Sequence, residues 1–168
     1  MKPFPKRLKL ADLPTRIEKL ERFSERTGLN VYVQRDDMSG MEWSGNKIRK
    51  LEFSIQEALD RGADTLITCG GIQSNHCRAT AAAAARLGLR SCLLLRTDDP
   101  DPLLDGNYFI DKVLGADIRF ISAEDYRSRR GEVMEELAGE FERQGHKAYI
   151  IPEGASNGIG TFGYLSCM

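Results

Sequence analysis

The stretch Thr65-Leu-Ile-Thr-Cys-Gly-Gly-Ile-Gln-Ser-Asn-His76 decides the fold. Its first five residues are short and largely apolar, as a buried strand requires, and its paired glycines turn the chain straight into the alanine-rich segment Ser74 to Leu87. Ser91-Cys-Leu-Leu-Leu95 then reads as a second buried strand. Upstream, a helix is predicted from about Lys47 to Arg61, with Ile48, Leu51, Ile55 and Leu59 on one face. Downstream, Asn107 to Leu114 reads as a shorter helix and Asp117-Ile-Arg-Phe-Ile121 as a strand. The long segment Ala123 to Gln144 carries Val133, Leu137 and Phe141 at helical spacing, and Lys147-Ala-Tyr-Ile-Ile151 closes the series. Strands with few polar positions, separated by helices, predict an α/β unit: an open parallel sheet with helices on both faces, three layers deep, spanning residues 50–155.

Residues 1–49 and 156–168 fall outside that unit and read as parts of another domain, the first opening it and the second returning to it. Within the first, Leu13, Ile17, Leu20 and Phe23 stand at helical spacing and Gly28 is a helix stop, so Leu13 to Gly28 is predicted as an amphipathic helix. Val31-Tyr-Val-Gln-Arg35 alternates like a strand, and Asp36 to Gly45 is a polar loop delivering the chain to Asn46. The closing run Gly163-Tyr-Leu-Ser-Cys-Met168 stops where an apolar segment is starting, which reads as an interruption.

The 168 residues are 41% hydrophobic and 29% charged, which fits a soluble globular domain and excludes disordered and membrane-spanning classes. A formal net charge of -1, with both signs scattered, gives no electrostatic reason to expect nucleic acid or an anionic membrane as partner. A small molecule is the better default. Cys69, Cys77, Cys92 and Cys167 form no metal-ligand spacing with the histidines and are expected to be reduced core thiols; no metal is expected. Without an apolar leader in Met1 to Arg7, the expected location is cytoplasmic.

In open α/β sheets ligands bind beyond the carboxyl ends of the strands, which directs attention to Gly70-Gly-Ile-Gln-Ser-Asn-His76. Paired glycines permit close backbone approach, and Ser74 and Asn75 stand at a helix amino terminus, where free N–H groups and the helix dipole favour an anion. The plainer account is that Ser74 or Asn75 only caps the helix and His76 only packs or is solvated. A second candidate is Ser44-Gly-Asn-Lys-Ile-Arg-Lys50. Lys47 opens a helix with Arg49 and Lys50 beside it, and both the positive neighbours and the helix terminus would lower its pKa and free its amine for Schiff-base chemistry. The alternative there is a basic first turn on a solvated helix. A third string, Gly158-Ile-Gly-Thr-Phe-Gly163, matches a dinucleotide pattern but is separated from Ile151 by the six residues Pro152 to Asn157, too many for the tight turn that motif needs, so its glycines are expected to serve helix packing.

Gly45-Asn-Lys-Ile-Arg-Lys-Leu-Glu-Phe53 together with Gly70-Gly-Ile-Gln-Ser-Asn-His76 resembles the D-cysteine desulfhydrase and 1-aminocyclopropane-1-carboxylate deaminase family of pyridoxal-phosphate (PLP) enzymes. Val33 to Asp37, Gly62 to Ile67, Leu114 to Asp117 and Pro152 to Asn157 extend the likeness over the whole chain, which is about half the family's usual length. The resemblance implies a two-domain PLP fold represented by its amino-terminal half, a homodimer at full length, and a small amino acid as substrate. It implies that Lys47 carries PLP, Lys50 lies near the phosphate, Asn75 contacts the phenolic oxygen, Ser74 faces the substrate as base or nucleophile, and the turn from Ser74 to His76 receives the substrate carboxylate. Histidine at 76 is closer to the desulfhydrase pattern, D-cysteine giving pyruvate, sulfide and ammonia; the deaminase or a related sulfo-lyase is the alternative. The glycine-rich phosphate cradle, the group on the pyridine nitrogen and the catalytic tyrosines of the family are expected downstream of Met168, so the chain alone is expected to be weakly active or inactive. A non-catalytic small-anion-binding module and a nucleotide-binding Rossmann protein are the remaining alternatives.

Overall fold

A computed structural model describes residues 4–40 and 45–167. Part of the loop from Asp36 to Gly45, including Ser44, lies outside the described residues, as does Met168. Four strands, β3 (Thr65–Gly71), β4 (Arg90–Arg96), β5 (Asp117–Ile121) and β6 (Ala148–Ile150), form one parallel sheet in the order β5-β4-β3-β6. The expected α/β architecture is observed. Side chains alternate across it: Leu66 and Leu93 face the helices α2 (Lys47–Asp60), α3 (Asn75–Leu87) and α4 (Gly106–Val113), whereas Ile67, Cys69, Cys92 and Leu94 face α5 (Ala123–Arg143). Burial on both sides explains why β3 and β4 read as unbroken apolar runs.

The order of strands creates a reversal. From β3 the chain moves outward to β4 and β5, then α5 carries it across the other face to β6 on the opposite side of β3. Loops after β3 and β6 therefore diverge, leaving a crevice at their carboxyl ends. Thr68 Oγ1 ties the two strand ends together by donating to the Ile151 carbonyl at 2.8 Å.

The predicted helix from Leu13 to Gly28 is not observed. Ile17–Lys19 is strand β1, paired antiparallel with β2 (Tyr32–Gln34), and only Glu21–Thr27 is helical (α1). Backbone bonds from Arg35 N to Arg16 O and Leu20 N to Val31 O extend the pairing, and an Arg35–Glu18 ion pair at 2.8 Å spans it. The helical spacing was a poor guide because no core lies under it: Ile17 is 69% exposed and Phe23 56%. With no buried face to reward a helix, strand pairing with Tyr32–Gln34 satisfies the backbone instead.

Helix α2 is the hinge between this segment and the sheet. Glu52 Oε1 accepts from Leu10 N at 2.8 Å and Ala11 N at 2.9 Å, strapping the amino-terminal segment to the helix. The last helix, α6 (Gly158–Leu165), lies against α2, and Phe162 completes an aromatic group with Phe4 and Phe53. Two of the three glycines serve packing: a Cβ on Gly163 would lie 2.5 Å from the Arg49 carbonyl oxygen, and one on Gly160 would overlap the Ala155 carbonyl, whereas Gly158 has open space around it. Cys69, Cys77 and Cys92 are buried free thiols, as expected; Cys167 is free but only half-buried.

Gly163→Ala should destabilise the chain by about 1–3 kcal/mol, the usual cost of over-packing a filled site. Gly158→Ala, whose methyl would meet nothing within 4 Å, should be neutral or mildly stabilising. Urea unfolding followed by circular dichroism compares the two.

Candidate active site

Ser74 caps α3 through its side chain, Oγ accepting from Cys77 N at 3.2 Å. That bond leaves its O–H available to a partner in the crevice. The loop before it is pulled tight, since a Cβ on Gly70 would lie 2.5 Å from Ser74 Oγ and 2.8 Å from Cys77 Sγ. Gly70 is therefore required by close approach. Gly71 meets only an ordinary contact with Arg96 at 3.6 Å, so one glycine of the pair carries the constraint.

Lys47 is the first residue of α2 and is half-buried, its Nζ donating to Asn46 Oδ1 at 3.1 Å. Asn46 in turn donates to the Tyr164 hydroxyl of α6. One turn on, Lys50 Nζ donates to Ser156 Oγ at 2.9 Å, in the loop after β6. That loop holds two left-handed residues, Gly154 at φ 64° and Ala155 at φ 48°, and a Cβ on Gly154 would stand 3.8 Å from Lys47 Cε. Both lysines thus reach the β6 side of the crevice. Burial and then the charge of Lys47 hold the Lys50 ammonium below the usual lysine range.

Arg49 takes no part. Its guanidinium is 3% exposed, bonded to Asp36 Oδ1 at 2.7 Å and Thr15 Oγ1 at 2.8 Å. Successive helical positions diverge by about 100°, so residues 47 and 49 point to opposite sides. The expectation that Arg49 acts on Lys47 is corrected: its charge is spent on Asp36, and the local positive pair is Lys47 with Lys50.

His76 is turned inward and 3% exposed, with Nε2 2.8 Å from Thr68 Oγ1. Thr68 has already given its proton to Ile151 O, so it accepts here and Nε2 carries the hydrogen. Nδ1 is then a buried acceptor with no partner among the described residues. Burial, followed by the charges of Lys47 and Lys50, depresses the imidazole to about 3. The ring is a neutral wall between the β3 loop and the lysines, and the packing account of its side chain holds; its backbone remains in the first turn of α3.

Asn75 is exposed at that first turn, its Oδ1 accepting from Asn107 Nδ2 at 3.0 Å. Asn46, Thr68, Ser156 and Asn107 were not singled out from sequence. Asn46 and Ser156 stood inside strings that were, while nothing local marks Thr68 or Asn107. An open cavity of about 650 Å³ between α5 and the loop after β6 is lined by Arg127, Arg130, Pro152, Glu153, Gly154 and Ser156, among others; it shares Gly154 and Ser156 with the lysine contacts, but Lys47, Lys50, Ser74 and Asn75 do not line it.

Two lysine side chains and a polar helix start thus meet at the strand reversal. The family model for pyridoxal-phosphate dependent enzymes matches residues 8–168. The chain belongs to that family. It is 47% identical to the bifunctional D-cysteine desulfhydrase/1-aminocyclopropane-1-carboxylate deaminase of Arabidopsis thaliana, covering 98% of this chain and 43% of that protein. It is 42% identical to the D-cysteine desulfhydrase of Serratia proteamaculans, covering 98% and 50%. A crystal structure of an ACC deaminase homologue superposes with a TM-score of 0.89 at 42% identity, over 98% of this chain and 49% of that one. The chain spans about half the length of the curated relatives it matches. Among the described residues no helix is long and apolar enough to cross a membrane.

The arrangement fits the family's cofactor. Two lysine side chains and the free N–H groups at the start of α3 are groups of the kind that an aldehyde-bearing phosphate ester needs. The His76 ring has an acid-side consequence. The unfolded histidine takes its proton near pH 6.5, the folded one only near 3, so stability from the neutral ring is full above pH 6.5 and lost as pH falls toward 3. His76→Gln, which keeps a donor for Thr68 without a titrating ring, should lose less stability than the parent between pH 7 and pH 4. Urea midpoints across that range measure the difference.

Proposed function

We propose that this chain is the Lys47-bearing half of a PLP-dependent carbon–sulfur lyase or deaminase of small amino acids, most like D-cysteine desulfhydrase. The observation that carries the reading is the meeting of Lys47, Lys50 and the Ser74 to His76 helix start around one crevice at the reversal of strand order.

Each residue has work that its position allows. Lys47, the half-buried amine at the mouth of the crevice, holds the cofactor. Lys50, fixed against Ser156, faces the phosphate. The Asn75 amide donates to the phenolic oxygen, and the free N–H groups at the start of α3 receive the substrate carboxylate. Ser74, whose O–H is not committed to its cap bond, stands beside that carboxylate to move a proton. Bound PLP supplies the electron sink for the pair released at the substrate α-carbon, from which a β-thiolate can depart. With water, D-cysteine would yield pyruvate, sulfide and ammonia. Neutral His76 keeps the wall behind the loop uncharged, and its identity favours the desulfhydrase over the deaminase reading by the likeness noted above.

The same reading assigns residues 1–49 and 156–168 to the larger PLP domain and 50–155 to the smaller one on the family likeness, with α6 packed on α2 across that boundary. It places the protein in the cytoplasm, where four free thiols suit a reducing compartment. A homodimer at full length rests on the family likeness, and light scattering checks it.

An absorbance titration with PLP, run beside Lys47→Ala and followed by borohydride trapping and peptide mapping, tests the cofactor site. The expected result is a visible band that traps onto Lys47 and is lost in the variant; label spread over surface lysines would overturn the assignment. D-Cysteine should displace Lys47 and protect it from trapping. Stronger protection by 1-aminocyclopropane-1-carboxylate would favour the deaminase instead.

A further inference from the structure

Asn107, at the start of α4, lies 32 positions from Asn75 in sequence and makes four hydrogen bonds around the β3 loop. Its backbone N donates to Gln73 Oε1 at 2.7 Å, and its Nδ2 donates both to the Gln73 carbonyl at 2.8 Å and to Asn75 Oδ1 at 3.0 Å. Its Oδ1 accepts from Arg78 Nη1 at 3.0 Å. Gln73 closes the clamp by donating to Asp105 Oδ1 at 2.8 Å. Gly106, at φ +49°, leaves the space that this needs, for a Cβ there would stand 2.5 Å from Gln73 Oε1.

The polarity of this chain of bonds is forced. A guanidinium can only donate and a backbone carbonyl can only accept, so Asn107 must turn Oδ1 toward Arg78 and Nδ2 toward Gln73. Reversing the amide would set donor against donor at one end and acceptor against acceptor at the other. Because Nδ2 also faces Asn75, the second amide is fixed in turn: Asn75 presents Oδ1 to Asn107, and its own Nδ2 takes no part in that bond. Arg78 is itself buried and within electrostatic reach of the buried Asp111 on α4.

We propose that Asn107 is a positioning residue that sets the amide of Asn75 with its N–H groups toward the cofactor, so that this site favours an ionised phenolic oxygen. The proposal rests on the reading that Asn75 meets the cofactor there. A donor at that point stabilises the phenolate; a flipped amide would put a carbonyl oxygen against it. Orientation, rather than the mere presence of Asn75, is thus what the α4 contact supplies.

Asn107→Asp tests this with little change of shape. The carboxylate still accepts from Arg78 but can no longer donate, so Asn75 should turn its NH2 toward residue 107. In the cofactor-free chain, side-chain amide NMR should show the Asn75 NH2 signals shifted and exchanging more slowly with solvent. With PLP, the variant should bind roughly tenfold to a hundredfold more weakly, the loss of one hydrogen bond to a charged oxygen. The pH midpoint of its visible band should move as well. Asn107→Ala, which removes the partner without reversing the amide, should fall between the two. An Asn107→Asp chain with unchanged Asn75 amide signals and a parental band would overturn the clamp, while Lys47 trapping and a changed band in Asn75→Ala would show the cofactor reading intact. If Asn75→Ala leaves the band unchanged although Lys47 is trapped, the role of Asn75, and with it the proposal, fails.

Discussion

The hydrogen bond from Thr68 Oγ1 to the Ile151 carbonyl holds together the two strand ends between which the site is built. β3 and β6 are paired over only three residues, Thr65 to Ile67 against Ala148 to Ile150, and diverge immediately beyond. A threonine at the point of divergence gives the separating backbone one more tie, and by spending its proton there it becomes the acceptor that His76 needs. One hydroxyl therefore adds to the backbone bond from Ile151 N to Ile67 O and sets the tautomer of the ring beside it. Both partners are fully buried, where an unmade bond of this kind would cost about 1–3 kcal/mol.

Legibility in the sequence followed burial. β3, β4, α2, α3 and α5 were readable because each is buried on a face whose period matches its geometry, and Gly70, Ser74 and Lys47 were readable because close approach and a helix start leave local marks. Leu13 to Gly28 misled because Ile17, Leu20 and Phe23 are exposed and the strand partner, Tyr32–Gln34, lies beyond α1, so the deciding contact was absent from the window being read. Asn107 and Thr68 were illegible for a related reason. Their importance comes from partners 32 and 83 positions away, and no property of the residues themselves announces a long-range hydrogen bond.

Charge was harder to read than shape. In sequence, Lys47, Arg49 and Lys50 form one basic turn. In three dimensions they are three separate arrangements, with Arg49 drawn inward to Asp36, Lys47 beside Asn46, and Lys50 across the crevice against Ser156. The helix period divides them, and the ion pair with Asp36 determines which cation leaves the site. Arg49 nevertheless supports it, because a guanidinium anchored on Asp36 and Thr15 fixes the rotation of the first turn of α2 and hence the direction in which Lys47 projects.

That rotation is fixed from the other side by α6. Gly163 lets the helix backbone approach the Arg49 carbonyl more closely than any side chain would permit, while Tyr164, one residue on, accepts from Asn46 and Asn46 accepts from Lys47. The glycine and the tyrosine thus act on adjacent parts of the same turn, one by closeness of backbone and the other by a hydrogen bond. Since Asn157 caps α6 by accepting from Gly160 N, the loop that carries Gly154 and Ser156 runs directly into this contact. The lysine, the loop it faces and the helix behind it are consequently one mechanical unit, and the crevice on the sheet is aligned with it through β6.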